Sequence, residues 1–426
     1  VWLVLRHRRW DTPTLRWVAL GIPAAIAIGL FLALPTLSID TYSYLSHGYL
    51  AQTQGSNPYV DPSASVAADS YGGVLASFGW QAVHGQTPYG PLWTGIERLA
   101  YAASGDNVGL GIRLIKIPEL LAYFGIVAVA WAILGRVSPE RRLLGVLAIA
   151  ANPLVLVEFA GDGHNDGLMI AFTALALYAA IRRWPALAIV ALALGVLVKP
   201  TVIVLCVPIA AYLIAHRRSW TRLAVEAVIG LGVSLGLAVA LFAPYWVGFD
   251  TFNGLRTSGS PGVTWSVSGW INELMASGQT AQSAPGGVDL AGTGEQLVLT
   301  GLLFCGAALS CVWAWRNERA LLRSASAVAL LALLLLPAYW PWYSGLPLVL
   351  LALTPGAAEL VAVLVLTIGS RLVAGFGDEA TLSVVGYDSF GHEQTLIGQT
   401  LPSLTALIIV VSSKRRRRRE ALAPFS

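Results

Sequence analysis

Apolar runs of near-uniform length alternate along this chain with short polar breaks, and the breaks carry most of the charge. A helix rises about 1.5 Å per residue, so ~20 apolar residues match the ~30 Å hydrocarbon core of a bilayer. By that rule the pattern predicts spans at 16–36, 111–134, 143–158, 166–181, 184–198, 201–215, 223–246, 297–315, 324–340, 344–355, 357–374 and 400–413. The expectation is an all-α polytopic membrane protein of about twelve spans, within roughly 11–13. Residues 1–426 are read as one transmembrane domain with a basic tail at 414–426. Three breaks are long: 37–110, 247–296 and 375–399. In the first, GSNPYVDP and TPYGPLW place turns between short interfacial helices. The second is rich in Gly, Ser and Thr with Trp246, Trp265 and Trp270, the pattern of a flap resting on the interface.

Composition agrees with the pattern. Residues are 56% hydrophobic and 12% charged, against about 25% charged in a soluble domain. With the N-terminal basic cluster placed inside, the inner segments hold 21 of the 27 Lys and Arg. That bias puts both ends of the chain in the cytoplasm and the long breaks outside. The run Lys414 to Arg419 directly follows the last apolar segment, so it reads as an anchor on anionic lipid and not as a nucleic-acid site. Val1 to Leu5 are apolar, lack an initiator Met and run into Arg6, Arg8 and Arg9, the pattern of a truncated earlier span. Cys206, Cys305 and Cys311 fall inside apolar runs and read as small buried hydrophobes.

Candidate chemistry gathers at the outer ends of the spans. Asp40 opens the string DTYSYLSHGY where the first apolar run stops. A carboxylate at a helix C-terminal end is unfavourable, so a compensating role is expected, with Tyr42 and Tyr44 lining a sugar by ring contact and hydroxyl. GDGHNDGLM packs Asp162, His164, Asn165 and Asp166 into one short turn, where four polar groups are costly unless they bind something. A helix cap at Asn165 or Asp166 would explain one of them. Arg113 and Lys116, three apart on one helical face, join Lys199 and Arg371 as cations on the outer side. Together they suit a lipid-linked phosphate, although each alone can snorkel to headgroups. Glu119 pairs with Lys116 in this reading, while Glu226 and Glu359 lie at span edges and keep a transporter in view. No metal or other cofactor is assigned, and divalent-metal dependence is left open.

The ordered set DTYSYLSHGY, NPYVDP, TPYGPLW, NPLVLVEFAGDGHNDGLM and LGVLVKP resembles actinobacterial polyprenol-phosphate-mannose-dependent α-1,6-mannosyltransferases, membrane glycosyltransferases of the GT-C superfamily. The resemblance covers about residues 1–200, and further on it lies in the pattern of spans. Two departures stand out: GDGHND where the family reads more like GGAHND, and less hydrophobic sequence ahead of the first span. The resemblance implies a GT-C fold and extracytoplasmic transfer of mannose from polyprenyl phosphomannose to a mannan or lipid-linked mannoside. The product is an α-1,6 linkage made with inversion, in lipomannan and lipoarabinomannan core synthesis. It maps the general base onto Asp40. Arg113, Lys116 and Lys199 then hold the donor phosphate, and Tyr42, Tyr44, Tyr89, Asp162, His164, Asn165 and Asp166 shape the sugar sites. The alternatives are a GT-C enzyme using polyprenyl-phosphate arabinose or glucose, and a glycolipid transporter or flippase.

Overall fold

The computed structural model describes residues 13–35, 37–53, 55–81, 85–254, 290–335, 340–375 and 400–422. Among the described residues the chain is helical, with one isolated bridge between Val247 and Phe249 and no sheet. In chain order the helices are α1 Pro13–Leu32, α2 Asp40–Gln52, α3 Ser70–Ser77, α4 Pro91–Ser104, α5 Val108–Val137, α6 Arg142–Ala150, α7 Asp166–Arg182 and α8 Pro185–Val198. They continue with α9 Cys206–Ala215, α10 Trp220–Phe242, α11 Leu290–Ala314, α12 Glu318–Leu335, α13 Gly345–Ala352, α14 Ala357–Gly375 and α15 Leu401–Leu422. The chain divides into two compact units, Val1–Cys206 with His216–Ser258 and Val207–Ala215 with Gly259–Ser426.

In the first unit α7 packs on α8 and α5, α10 packs on α8, and α2 packs on α4. The first long break therefore folds into α2, a 3-10 turn at Ser63–Ala68, α3 and α4. Helix α2 has no apolar stripe, since Thr41 to Gly48 and Leu50 are all buried. Its polar groups must consequently find partners. Ser46 Oγ lies 2.5 Å from Ser63 Oγ, and Trp80 Nε1 donates to Ser43 Oγ at 3.2 Å. The approach of α4 to α8 depends on a glycine: Gly90 N–H donates to Val198 O at 2.9 Å. A Cβ at Gly90 would collide with the Leu197 carbonyl oxygen.

The second unit is held by α11 on α12, α14 on α15, and α12 against α13 and α15. In this unit Arg323 of α12, partly exposed, pairs with the buried Glu359 of α14 at 3.0 Å. That contact accounts for Glu359 structurally. In the first unit Glu226 likewise meets Arg222 one turn away at 2.6 Å.

Among the described residues two helices are long and apolar enough to cross a membrane, Val108–Val137 and Trp220–Tyr245. A third span arises if Pro139–Ala150 and Pro153–Gly161, bent by 46°, count as one. Each predicted span meets a described helix or a broken pair of helices, several of them shorter than a full crossing. Only Gly230 of α10 is buried, while Val228, Leu235 and Val239 stand exposed. An apolar surface of that extent suits lipid and not water.

Two expectations need correction. Cys206 and Cys305 are exposed and Cys311 is half-buried, because these helices turn apolar sides outward. Asp40 does not close the first helix. That helix stops at Leu32, and Asp40 lies in the first turn of α2, where the helix dipole favours a carboxylate. The proposed flap at 247–296, the segment 375–399 and the N-terminal stub lie largely or wholly outside the described residues.

Candidate active site

The site is built around a reversal of the chain ahead of α7. Asn152 caps a short helical turn by accepting from Leu154 N–H at 2.9 Å. The chain then continues as a π-helical turn, Leu156–Gly161. Such wide turns are frequent at functional sites. Gly163 completes the reversal at φ +76°, and a Cβ there would meet Lys116 Cγ at 2.8 Å. Asp162, His164, Asn165 and Asp166 are thereby all buried.

Burial forces these groups to meet. His164 Nδ1 lies 3.1 Å from both the Glu158 carbonyl and Glu158 Oε2. On its other edge, Nε2 lies 3.8 Å from Asp40 Oδ2. Burial alone would lower the His164 pKa, but Glu158, Asp40 and Asp162 outweigh it and raise it to about 9. Of the two side chains, His164 is sealed, whereas Asp40 is 14% exposed. A carboxylate, an imidazole and a second carboxylate thus form a chain with one end open. The turn is tied to α2 and the segment before it, since the Thr41 hydroxyl donates to the Asp162 carbonyl and Leu37 N–H approaches Asp162 Oδ1 at 3.4 Å.

The cations separate. Lys199 Nζ pairs with Asp166 Oδ2 at 2.7 Å and lies 5.9 Å from the Tyr89 ring centroid. Lys116 is fully buried and donates to the carbonyls of Leu30 and Ala33 at 2.9 and 2.7 Å. It thereby caps the C-terminal end of α1, where a positive charge is favoured. Arg113, one turn away, is exposed and reaches only Gly109 O at 3.5 Å. The expected pairing of Glu119 with Lys116 does not form. Glu119 accepts from Leu168 N–H at 3.1 and 3.3 Å, neutralising the amino end of α7. Asn165, the residue before α7, makes no side-chain cap. Its amide is buried with neither polar atom hydrogen-bonded.

Aromatic rings wall the same space. Tyr44 is buried and meets Tyr89 and Trp93 edge-on at 5.4 and 5.1 Å. Burial, then Tyr89 and the carboxylates of Asp40 and Asp166, raise its pKa well above the usual phenol value, keeping it a hydrogen donor. Tyr42 is buried beside Asp162, and its phenol is raised by burial and by that charge. A cavity of about 70 Å³ lies beside Tyr89, walled by Tyr59, Leu197, Pro200, Phe242 and Phe252. Among the described residues no three His, Cys, Asp or Glu side chains form a metal-ligand group.

The structure therefore brings together Asp40, Tyr44, Tyr89, His164, Asp166 and Lys199, and leaves Arg113 outside. Arg371 lies on α14 in the other unit. Two groups escaped the sequence reading. Glu158 sits at the end of a predicted span, and an acid inside an apolar run was the signal that marked it. His47 and Glu97 meet at 3.4 Å between α2 and α4, and nothing in the sequence singles them out as a pair.

Residues 1–216 match the family model described as alpha-(1->6)-mannopyranosyltransferase, N-terminal domain. Alpha-(1->6)-mannopyranosyltransferase A of Corynebacterium glutamicum is 29% identical over 180 residues, 42% of this chain and 35% of that one. The A protein of Mycobacterium tuberculosis is 26% identical over 354 residues, 78% of this chain and 64% of its own. Alpha-(1->6)-mannopyranosyltransferase B of C. glutamicum is 30% identical over 160 residues, 36% of this chain and 25% of that one. The chain thus spans less than two thirds of the length of these relatives. An oligosaccharyltransferase of Archaeoglobus fulgidus in its apo form superposes with a TM-score of 0.44 at 13% identity, over 93% of this chain and 56% of that one.

Proposed function

We propose that this chain, which belongs to the alpha-(1->6)-mannopyranosyltransferase family, transfers mannose from polyprenyl phosphomannose to a mannan or lipid-linked mannoside, forming an α-1,6 linkage with inversion. The observation that carries this reading is Asp40, a partly exposed carboxylate at the open end of an otherwise sealed polar cluster. Asp40 takes the proton of the acceptor hydroxyl as its oxygen attacks the anomeric carbon. The bond from that carbon to the phosphate oxygen breaks, and its electron pair leaves with the polyprenyl phosphate.

Lys199 stands on the inner wall to meet the developing phosphate charge, and exposed Arg113 meets the same phosphate from the rim. Lys116 holds the end of α1 in place. Tyr42, Tyr44, Tyr89, Asp162, His164, Asn165 and Asp166 shape the sugar sites. Asn165, buried with its amide unmatched, is suited to a pair of sugar hydroxyls. The chain crosses the plasma membrane about twelve times in a GT-C fold, with both visible ends cytoplasmic. The bias of Lys and Arg supports that orientation, with Asp40 on the extracytoplasmic side.

The test supplies washed membranes with polyprenyl phosphomannose and a short α-1,6-mannoside, followed by linkage analysis. A new α-1,6-mannosyl bond is expected. Transfer from polyprenyl-phosphate arabinose or glucose in its place would move the chain to another donor. Transport without any covalent product would remove it from the transferases.

A further inference from the structure

Glu158 lies outside the groups that touch substrate in this reading, yet it meets the buried His164 with two acceptors. His164 Nδ1 is 3.1 Å from both the Glu158 carbonyl oxygen and Glu158 Oε2. Two acceptors at one ring nitrogen require that nitrogen to carry a proton. The tautomer is thereby set, and the other nitrogen, Nε2, faces Asp40 Oδ2 at 3.8 Å. Glu158 is 2% exposed, so its carboxylate acts across a medium that screens little.

We propose that Glu158 and His164 are positioning residues for Asp40: Glu158 holds His164 as an imidazolium, and its charge, within ion-pair reach through Nε2 at 3.8 Å, orients the Asp40 carboxylate toward the acceptor hydroxyl. The inference rests on Asp40 being the base, and adds how the base is held.

The groups facing His164 come from every side. Glu158 lies on the π-helical turn, Asp40 on α2, and Asp162 on the reversal itself. Lys116 of α5 packs on Gly163 with its ammonium turned to the α1 carbonyls. Asp166 at the start of α7 is already paired with Lys199. Three carboxylates therefore act on the ring without an equal number of cations. The His164 pKa near 9 follows from that balance. As a raised histidine, it is charged at neutral pH and loses its proton as pH climbs through that value.

Two readouts test the proposal. In purified full-length protein labelled with ¹⁵N-histidine, His164 is assigned by the signal missing from His164→Gln, and is expected to be protonated on both nitrogens at pH 8. In Glu158→Gln that titration should fall by about one pH unit or more, because the largest stabilising charge is gone. The alkaline limb of kcat should move down with it, with little change in KM. His164→Gln keeps a donor toward Asp40 but no titrating proton, so it should lose about tenfold in kcat and also lose the alkaline limb.

A neutral His164 at pH 8 in the wild-type protein overturns the proposal, whatever the variants do. So does an alkaline limb that stays in place in both variants. If the wild-type protein transfers no mannose from polyprenyl phosphomannose while His164 titrates as described, the proposed function fails and the charged Glu158–His164 arrangement stands.

Discussion

Two buried histidines of the first unit each sit against a glutamate, and their surroundings separate a reactive site from a structural one. His47 Nδ1 meets Glu97 Oε1 at 3.4 Å, with side chains 3% and 0% exposed. His164 Nδ1 meets Glu158 Oε2 at 3.1 Å, with side chains 0% and 2% exposed. Distance and burial are nearly the same. The difference lies beyond the ring. From His164 the chain of groups continues to Asp40, 14% exposed. Neither Nε2 makes a hydrogen bond among the described residues, but that of His164 faces a carboxylate, whereas the ring of His47 meets Tyr89 edge-on at 6.4 Å. Burial raises the Glu97 pKa, and His47 and Trp93 only partly offset it. In the proposed function, a buried acid–imidazole pair acquires chemistry through a third group that reaches solvent.

The comparison can be broken at several points. The largest effect is expected for Asp40→Asn, which removes the proposed base and should lower turnover by about a hundredfold or more while the protein still reaches the membrane. Lys199→Ala leaves Asp166 buried without its partner, which costs about 3–5 kcal/mol. Thermal unfolding in detergent should show that loss, and Lys199→Ala with Asp166→Ala together should recover part of it. Gly163→Ala forces a side chain into a left-handed backbone and against Lys116, at a cost of about 1–3 kcal/mol, and a lower melting temperature checks it. Arg113→Ala should raise the KM for donor severalfold and leave kcat alone, as fits a group at the rim. The smallest effect belongs to Glu97→Gln, because a glutamate biased toward its neutral form by burial is closely mimicked by the amide.

Much of the site was legible because its groups break an apolar pattern. GDGHND stands out between two runs of hydrophobic residues, and Lys199 ends another. What stayed hidden has physical reasons. The start of α2 was missed because all its faces are buried, so Asp40 looked like the end of the helix before it. Lys116 and Glu119, close in sequence on α5, each turn to the end of a different helix, and only the tertiary arrangement selects those partners. Arg113 and Lys116 share a helical face by spacing, yet one is exposed and the other sealed, since α1 covers only the second.

The most direct test sets the two acids side by side. Initial rates of mannosyl transfer from polyprenyl phosphomannose to an α-1,6-mannoside are measured in washed membranes containing equal amounts of wild-type protein, Asp40→Asn or Glu97→Gln. The account predicts a fall of about a hundredfold or more for Asp40→Asn, and a rate within about threefold of wild type for Glu97→Gln, under 1 kcal/mol of barrier. Near-normal transfer by Asp40→Asn, or a collapse confined to Glu97→Gln, would contradict it.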